Sequence, residues 1–172
     1  MYIADIIGII AQCIGFPGIA TFIIMYRFSD MKSIRKASLC MDVFWGTHYL
    51  LLGATAGFVA NAVCFVRELV FIRSDRPGFH GKIWLGIFVS INIVSAILKW
   101  DGLYSCLPAI VYVFGTYGFC QKNVTRARWI AILCNVLMFI YDVFIASYAG
   151  LVGEVLAFIS VIVVMNRSKK TA

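Results

Sequence analysis

The chain has 172 residues, 62% of them apolar and 13% charged, with a net charge of +7. Soluble domains average about 25% charged and 45–50% apolar residues, so a water-soluble enzyme, a disordered tail and a disulfide mini-scaffold are excluded. The solvent of this chain is lipid, and at roughly 23 residues per crossing and connection its length accommodates about seven spans.

The first apolar run, Ile3 to Tyr26, has no basic segment before it and is longer than a signal-peptide core, so a retained first span is expected. A basic stretch, Arg27 to Lys36, separates it from Ala37 to Ile72, which holds no Lys or Arg other than Arg67. As one helix these residues would extend roughly 54 Å, too far for one crossing of a ~30 Å hydrocarbon core. Two helices turning at Gly53 to Gly57 are predicted instead. Two shorter runs follow, Ile83 to Leu98 and Leu103 to Phe119, divided by Lys99-Trp100-Asp101-Gly102. Trp129 to Met165 again lacks Lys and Arg and is predicted to fold back near Ala146 to Gly150. The reading is an all-α membrane protein of seven transmembrane helices in a single transmembrane domain, 1–172.

On this scheme 13 of the 15 Lys and Arg residues fall on one side, Lys99 falls on the other, and Arg67 lies within a span. The positive-inside rule then puts the N-terminus outside and the C-terminus in the cytoplasm. The basic charge reads as a statement of topology, and no nucleic-acid partner is expected.

A shift of 93 residues lays 10–73 on 103–166 without a gap. Identities include Cys13/Cys106, Arg35/Arg128, Val43/Val136, Phe65/Phe158 and an Ala-Gly-x-Val at each hairpin turn. Repeat one, about 3–73, and repeat two, about 102–166, would be joined by a linker helix at about 82–98. A shift of four helices keeps both copies pointing the same way, giving a 3+1+3 parallel repeat of the SWEET-like kind. Each copy has a proline in its first helix, Pro17 and Pro108, read as paired hinges or as ordinary membrane-helix kinks.

Ala11-Gln12-x-Ile14-Gly15, the basic loop ending in Lys36, and Gly46-x-His48-Tyr49-x-Leu51-Leu52-Gly53 followed by Arg67 resemble the YgjV-type family of bacterial inner-membrane proteins. Gly150 and Glu154 carry the resemblance into the second half, so it covers almost the whole chain. Tyr141-Asp142 stands where a His-Asn-like pair is expected. The resemblance implies a small multi-pass protein of the bacterial inner membrane, distantly similar to the PQ-loop and SWEET group and without an assigned activity. The Pro-Gln dipeptide typical of PQ-loop proteins does not occur here.

Ionisable residues inside a bilayer cost ~2.5–3.5 kcal/mol each on insertion scales, so those present need a partner, a water-filled cavity or a function. Asp42 and Arg67 are both expected ~9 Å deep on adjacent helices, as a structural ion pair or a gate. Glu68 points about 100° away from Arg67 and is expected to reach the cytoplasmic interface. Glu154 lies near the midplane, and the repeat sets it opposite Asn61. In SWEET-like proteins polar residues of the third and seventh helices flank the substrate, so Asn61 and Glu154 are candidate substrate-binding residues, with a structural lock as the alternative for Glu154. His48 and Tyr49 correspond to Tyr141 and Asp142; His48, Tyr141 and Asp142 are expected in an outer vestibule or among headgroups. Gln12, Asn92 and Asn135 read as interhelical hydrogen-bond partners, with ligand contact as the alternative.

Six cysteines show no CxxC or Cys/His cluster, and no phosphate loop, nucleophile elbow or HExxH occurs, so no metal, cofactor or enzymatic activity is expected. The leading function is transport of a small polar solute through a midplane site between two three-helix bundles, with a proton as a candidate partner and Glu154 suited to proton coupling or cation binding. The alternative is a non-transporting receptor or assembly factor. The lipid bilayer is the surrounding partner, and homo-oligomerisation is left open.

Overall fold

The computed structural model describes the backbone of residues 2–51, 53, 55–98, 103, 106–144 and 148–170, without the side chains of 2–5, 55–57, 142, 148–149 and 168–170. Among the described residues there are seven helices and no strand: α1 Tyr2–Met25, α2 Met31–Leu51, α3 Thr55–Phe71, α4 Gly81–Leu98, α5 Cys106–Cys120, α6 Val124–Phe144 and α7 Tyr148–Lys170. The turn between α2 and α3 falls where small residues were expected, with Gly53 at a φ of 70° and its N–H donating to Leu50 O (3.1 Å). That left-handed conformation favours glycine. The expected turn near Ala146 lies outside the described residues.

Helix starts are set by polar side chains that satisfy otherwise unpaired N–H groups. The Ser33 N–H donates to Asp30 Oδ1 (2.8 Å) ahead of α2, and the Arg126 N–H donates to Asn123 Oδ1 (3.1 Å) ahead of α6. Asp30 and Asn123 are 93 positions apart, as are Ser33 and Arg126.

The helices pack as a ring. α1 lies along α2 and α2 along α3; α5 lies along α6 and α6 along α7; α1 meets α7, and α3 meets α5. Helix α4 packs on α5 and touches α3 from outside the ring. Pro17 is inside α1, and the Thr21 hydroxyl donates to its carbonyl (2.7 Å). Pro108 falls in the first turn of α5, where a proline breaks no intrahelical bond. A kink from proline is therefore argued for Pro17 only.

The distribution of polarity is inverted relative to a soluble protein. Arg35, Arg67, Glu68 and Arg128 are buried, whereas Leu98 is 78% and Phe16 70% exposed. Among the described residues four segments are long and apolar enough to cross a membrane: Ile6–Met25, Gly81–Leu98, Val124–Tyr141 and Gly150–Arg167. The remaining three helices carry more charge or are shorter: α2 opens on Lys32, Arg35 and Lys36, α3 contains Arg67 and Glu68, and α5 has 15 residues. An apolar outer wall with polar groups turned inward is what a lipid solvent selects, since the hydrocarbon offers those groups no partner.

The two halves hold each other by reciprocal bonds. Arg35 Nε donates to Phe119 O (3.0 Å) and Nη2 to Gln121 O (3.0 Å), at the end of α5. Arg128 Nη2 donates to Tyr26 O (3.0 Å) and Phe28 O (2.9 Å), at the end of α1. Subtracting 93 turns 128, 119 and 121 into 35, 26 and 28. The same relation connects Arg67 Nη1 donating to Thr116 Oγ1 (3.3 Å) with Ser160 Oγ donating to Ile23 O (2.8 Å). Met25, Tyr26, Met31, Ile34, Ala127, Ala131, Val161 and Met165 form the apolar core at the same end of the ring.

Candidate functional site

The ring encloses a cavity of about 580 Å³, to which all its six helices contribute and α4 does not. Tyr26, Met31, Ile34, Ala127 and Ala131 of the apolar core floor it at the Arg35/Arg128 end. The polar lining is spread around the wall: Gln12 from α1, Asp42, His48 and Tyr49 from α2, Asn61 and Arg67 from α3, Tyr112 from α5, Asn135 from α6, and Glu154 from α7.

Asp42, His48, Asn61, Arg67 and Glu154, all expected from the sequence, therefore share one cavity. Tyr141, Pro17 and Pro108 are not in its lining. The side chain of Asp142 lies outside the described residues.

Asn135 is buried between α6 and α7. With its carboxamide nitrogen facing the acceptors, it donates to Glu154 Oε2 (3.2 Å) and Ala131 O (3.1 Å), while its oxygen accepts from the Phe158 N–H (3.3 Å). Asn135 lies 93 positions after Asp42, just as Glu154 lies 93 positions after Asn61. Each half thus contributes one carboxyl and one carboxamide, on exchanged helices: Asp42 with Asn61, and Asn135 with Glu154. The sequence reading favoured a helix-packing role for Asn135 over a ligand contact; applying the shift of 93 to Asp42 as well as to Glu154 pairs it with the site.

The expected ion pair takes a different form. Arg67 donates through Nε (2.9 Å) and Nη2 (2.7 Å) to Glu68 Oε1, and its guanidinium lies 4.6 Å from the centre of the Phe119 ring. Glu68 is fully buried and turned onto Arg67 instead of away from it. The angle of 100° between consecutive side chains fixes only where their first carbons point; two long chains curl together when the alternative is an uncompensated charge in an apolar bundle. Thr116 ties this pair to the outer helix, accepting from Arg67 and from Asn92 Nδ2 (3.0 Å) and donating to Tyr112 O (2.7 Å).

Asp42 has no such partner. It is buried, and its Oδ2 makes no hydrogen bond. One turn away, Trp45, His48 and Tyr49 form an aromatic group: Trp45 and Tyr49 stack at 5.9 Å, and the His48 ring stands edge-on to each at 5.3 Å. His48 Nδ1 is 2.7 Å from Ala11 O, and because a carbonyl only accepts, Nδ1 carries the proton. His48 is buried, bonded to α1 and part of the cavity wall. One glycine of α1 makes room for the group: a Cβ on Gly18 would come within 3.0 Å of Trp45 Nε1, tighter than ordinary contact, whereas one on Gly15 would meet His48 Nδ1 at an ordinary 3.5 Å.

A cavity of this size can enclose a small organic molecule, with apolar walls for bulk and a few polar groups for orientation. Among the described residues no group of three or more His, Cys, Asp and Glu is placed to hold a metal ion. No curated protein and no solved structure matches this chain. The inward polarity and lipid-compatible exterior agree with the family to which the chain is related: the model of the YgjV family matches residues 9–172, and the chain belongs to this family of bacterial inner membrane proteins.

Proposed function

We propose that the protein carries a small polar solute across the bacterial inner membrane, binding it in the ring cavity between two three-helix bundles, with proton exchange at Glu154. The observation that carries this reading is the mirrored set Asp42/Asn61 and Asn135/Glu154 in a single cavity. Carboxyl and carboxamide groups are expensive in a membrane bundle, and a lock between helices would not need them facing a common space. The reciprocal bonds of Arg35 and Arg128 support a 3+1+3 parallel repeat, because each arginine serves the helix end equivalent to the one its counterpart serves. In this reading all seven helices span, α4 is the connector, the N-terminus is outside and the C-terminus is cytoplasmic. No catalytic step is part of it.

Alternating access requires the floor at the Arg35/Arg128 end to open in one state, and the residues that would move are those holding it shut. The test is uptake of polar metabolites into proteoliposomes under a pH gradient. Wild-type protein accumulates a solute and Glu154→Gln loses gradient-driven accumulation while remaining folded; full accumulation by that variant removes Glu154 from coupling. Saturable binding without flux in the wild type would favour the receptor reading.

A further inference from the structure

We infer that the cavity takes an organic cation, an amine or quaternary ammonium compound with an apolar body, seated between the Asp42 carboxylate and the aromatic face of Trp45 and Tyr49. This rests on the reading of the ring cavity as the ligand site, and narrows it to a chemical class.

Asp42, Trp45 and Tyr49 stand at i, i+3 and i+7 along α2 and all line the cavity, so they form one stripe of its wall. Neighbours three apart on a helix have their Cβ atoms about 5–6 Å apart. That separation lets one ammonium group touch a carboxylate oxygen and the face of an indole together. Asp42 is 95% buried by its 5% exposure, and its Oδ2 has no hydrogen-bond partner although it sits beside the cavity. Arg67 lends its charge to Asp42 from a distance, while its guanidinium hydrogen-bonds Glu68 and Thr116 and lies over the Phe119 ring, so Oδ2 of Asp42 receives no hydrogen bond. Arg128 points its Nη2 at the carbonyls that end α1. Glu154, the other carboxyl of the wall, is already served by Asn135. An unmet carboxylate oxygen beside stacked rings is the pairing that recognises a poorly hydrated cation. An anion would meet the carboxylate with like charge, and a neutral solute would leave that charge without an opposite one.

The experiment is calorimetric titration of the purified full-length protein in detergent with benzyltrimethylammonium, set against benzyl alcohol and glucose. Wild-type protein is expected to bind the cation saturably and neither neutral compound. Asp42→Asn, which keeps shape and removes charge, is expected to weaken binding about tenfold or more, and Asp42→Glu to restore most of it. Trp45→Leu is expected to weaken it by a similar factor and Trp45→Phe by less. Should Asp42→Asn fail to fold, the Asp42→Glu and Trp45 variants carry the test alone. Undiminished binding by folded Asp42→Asn overturns the inference, as does binding of glucose in place of the cation, which would still leave a transporter of neutral solutes. Cation binding without flux in proteoliposomes would uphold the inference and overturn the transport reading.

Discussion

Asn135 shows how one side chain can hold a site together. It serves the Glu154 carboxyl, a backbone carbonyl of its own helix and an N–H of α7. Asn135→Ala strands these groups inside the bundle and is expected to cost about 1–3 kcal/mol, seen as a lower melting temperature in detergent. Gly18 offers the steric counterpart. Gly18→Leu drives a side chain into Trp45 and should lower the melting temperature, whereas Gly8→Ala meets open space and should leave it unchanged. Asn61 and Glu154 were legible because a gapless shift pairs them, and Asp42 because a charge in an apolar run draws attention. Glu68 was misplaced because helical angle locates a Cβ but not the end of a long side chain. The unmet oxygen of Asp42 was beyond reach, since which charge Arg67 would choose depends on packing that one sequence does not specify.

The helix ends carry the next set of contacts. Arg35 makes four bonds, to Phe119 O, Gln121 O, Phe71 O and Ser74 Oγ, while Arg128 makes two. Loss of Arg35 leaves more buried acceptors unmet, so Arg35→Ala is expected to destabilise by about 3 kcal/mol or more and Arg128→Ala by less, compared by thermal unfolding of the two variants. The caps differ in another respect. The Ser33 N–H holds the Asp30 carboxyl below its ordinary range, whereas Asn123 does not titrate. A depressed carboxyl contributes its stability above its unfolded pKa of ~3.9 and loses it as pH falls through the folded value. Below pH ~4 the start of α2 should weaken, and Asp30→Asn should flatten that part of a plot of melting temperature against pH. The positive-inside argument counted Arg35 and Arg128 as loop charges because it sorts residues by segment and ignores which face they occupy. Their special role had one trace in the sequence: among the identities the shift reveals, they form the charged pair.

At the scale of the molecule, seven helices were legible from run lengths alone. Ring order was not, because a sequence orders helices along the chain without saying which are neighbours, and α3 meeting α5 past α4 is a property of packed surfaces. The exterior makes its own prediction. Val94 and Ile97 of α4 are 54% and 67% exposed. On a soluble protein Val94→Lys would be nearly neutral, but against lipid it should cost ~2.5–3.5 kcal/mol of insertion free energy, measurable with a membrane-insertion reporter.

The arginine exchange also bears on how the chain is made. Arg35 finds Phe71 O and Ser74 Oγ within the first half, so it has partners as soon as α3 leaves the ribosome. Both acceptors of Arg128 belong to the segment synthesised a hundred residues earlier. The first bundle can therefore settle while its successor is still being translated, and the second must dock on it before its own arginine is satisfied. Synthesis order and assembly order coincide, and a chain cut after α4 would release a fragment with a vacant cradle for the half that never came.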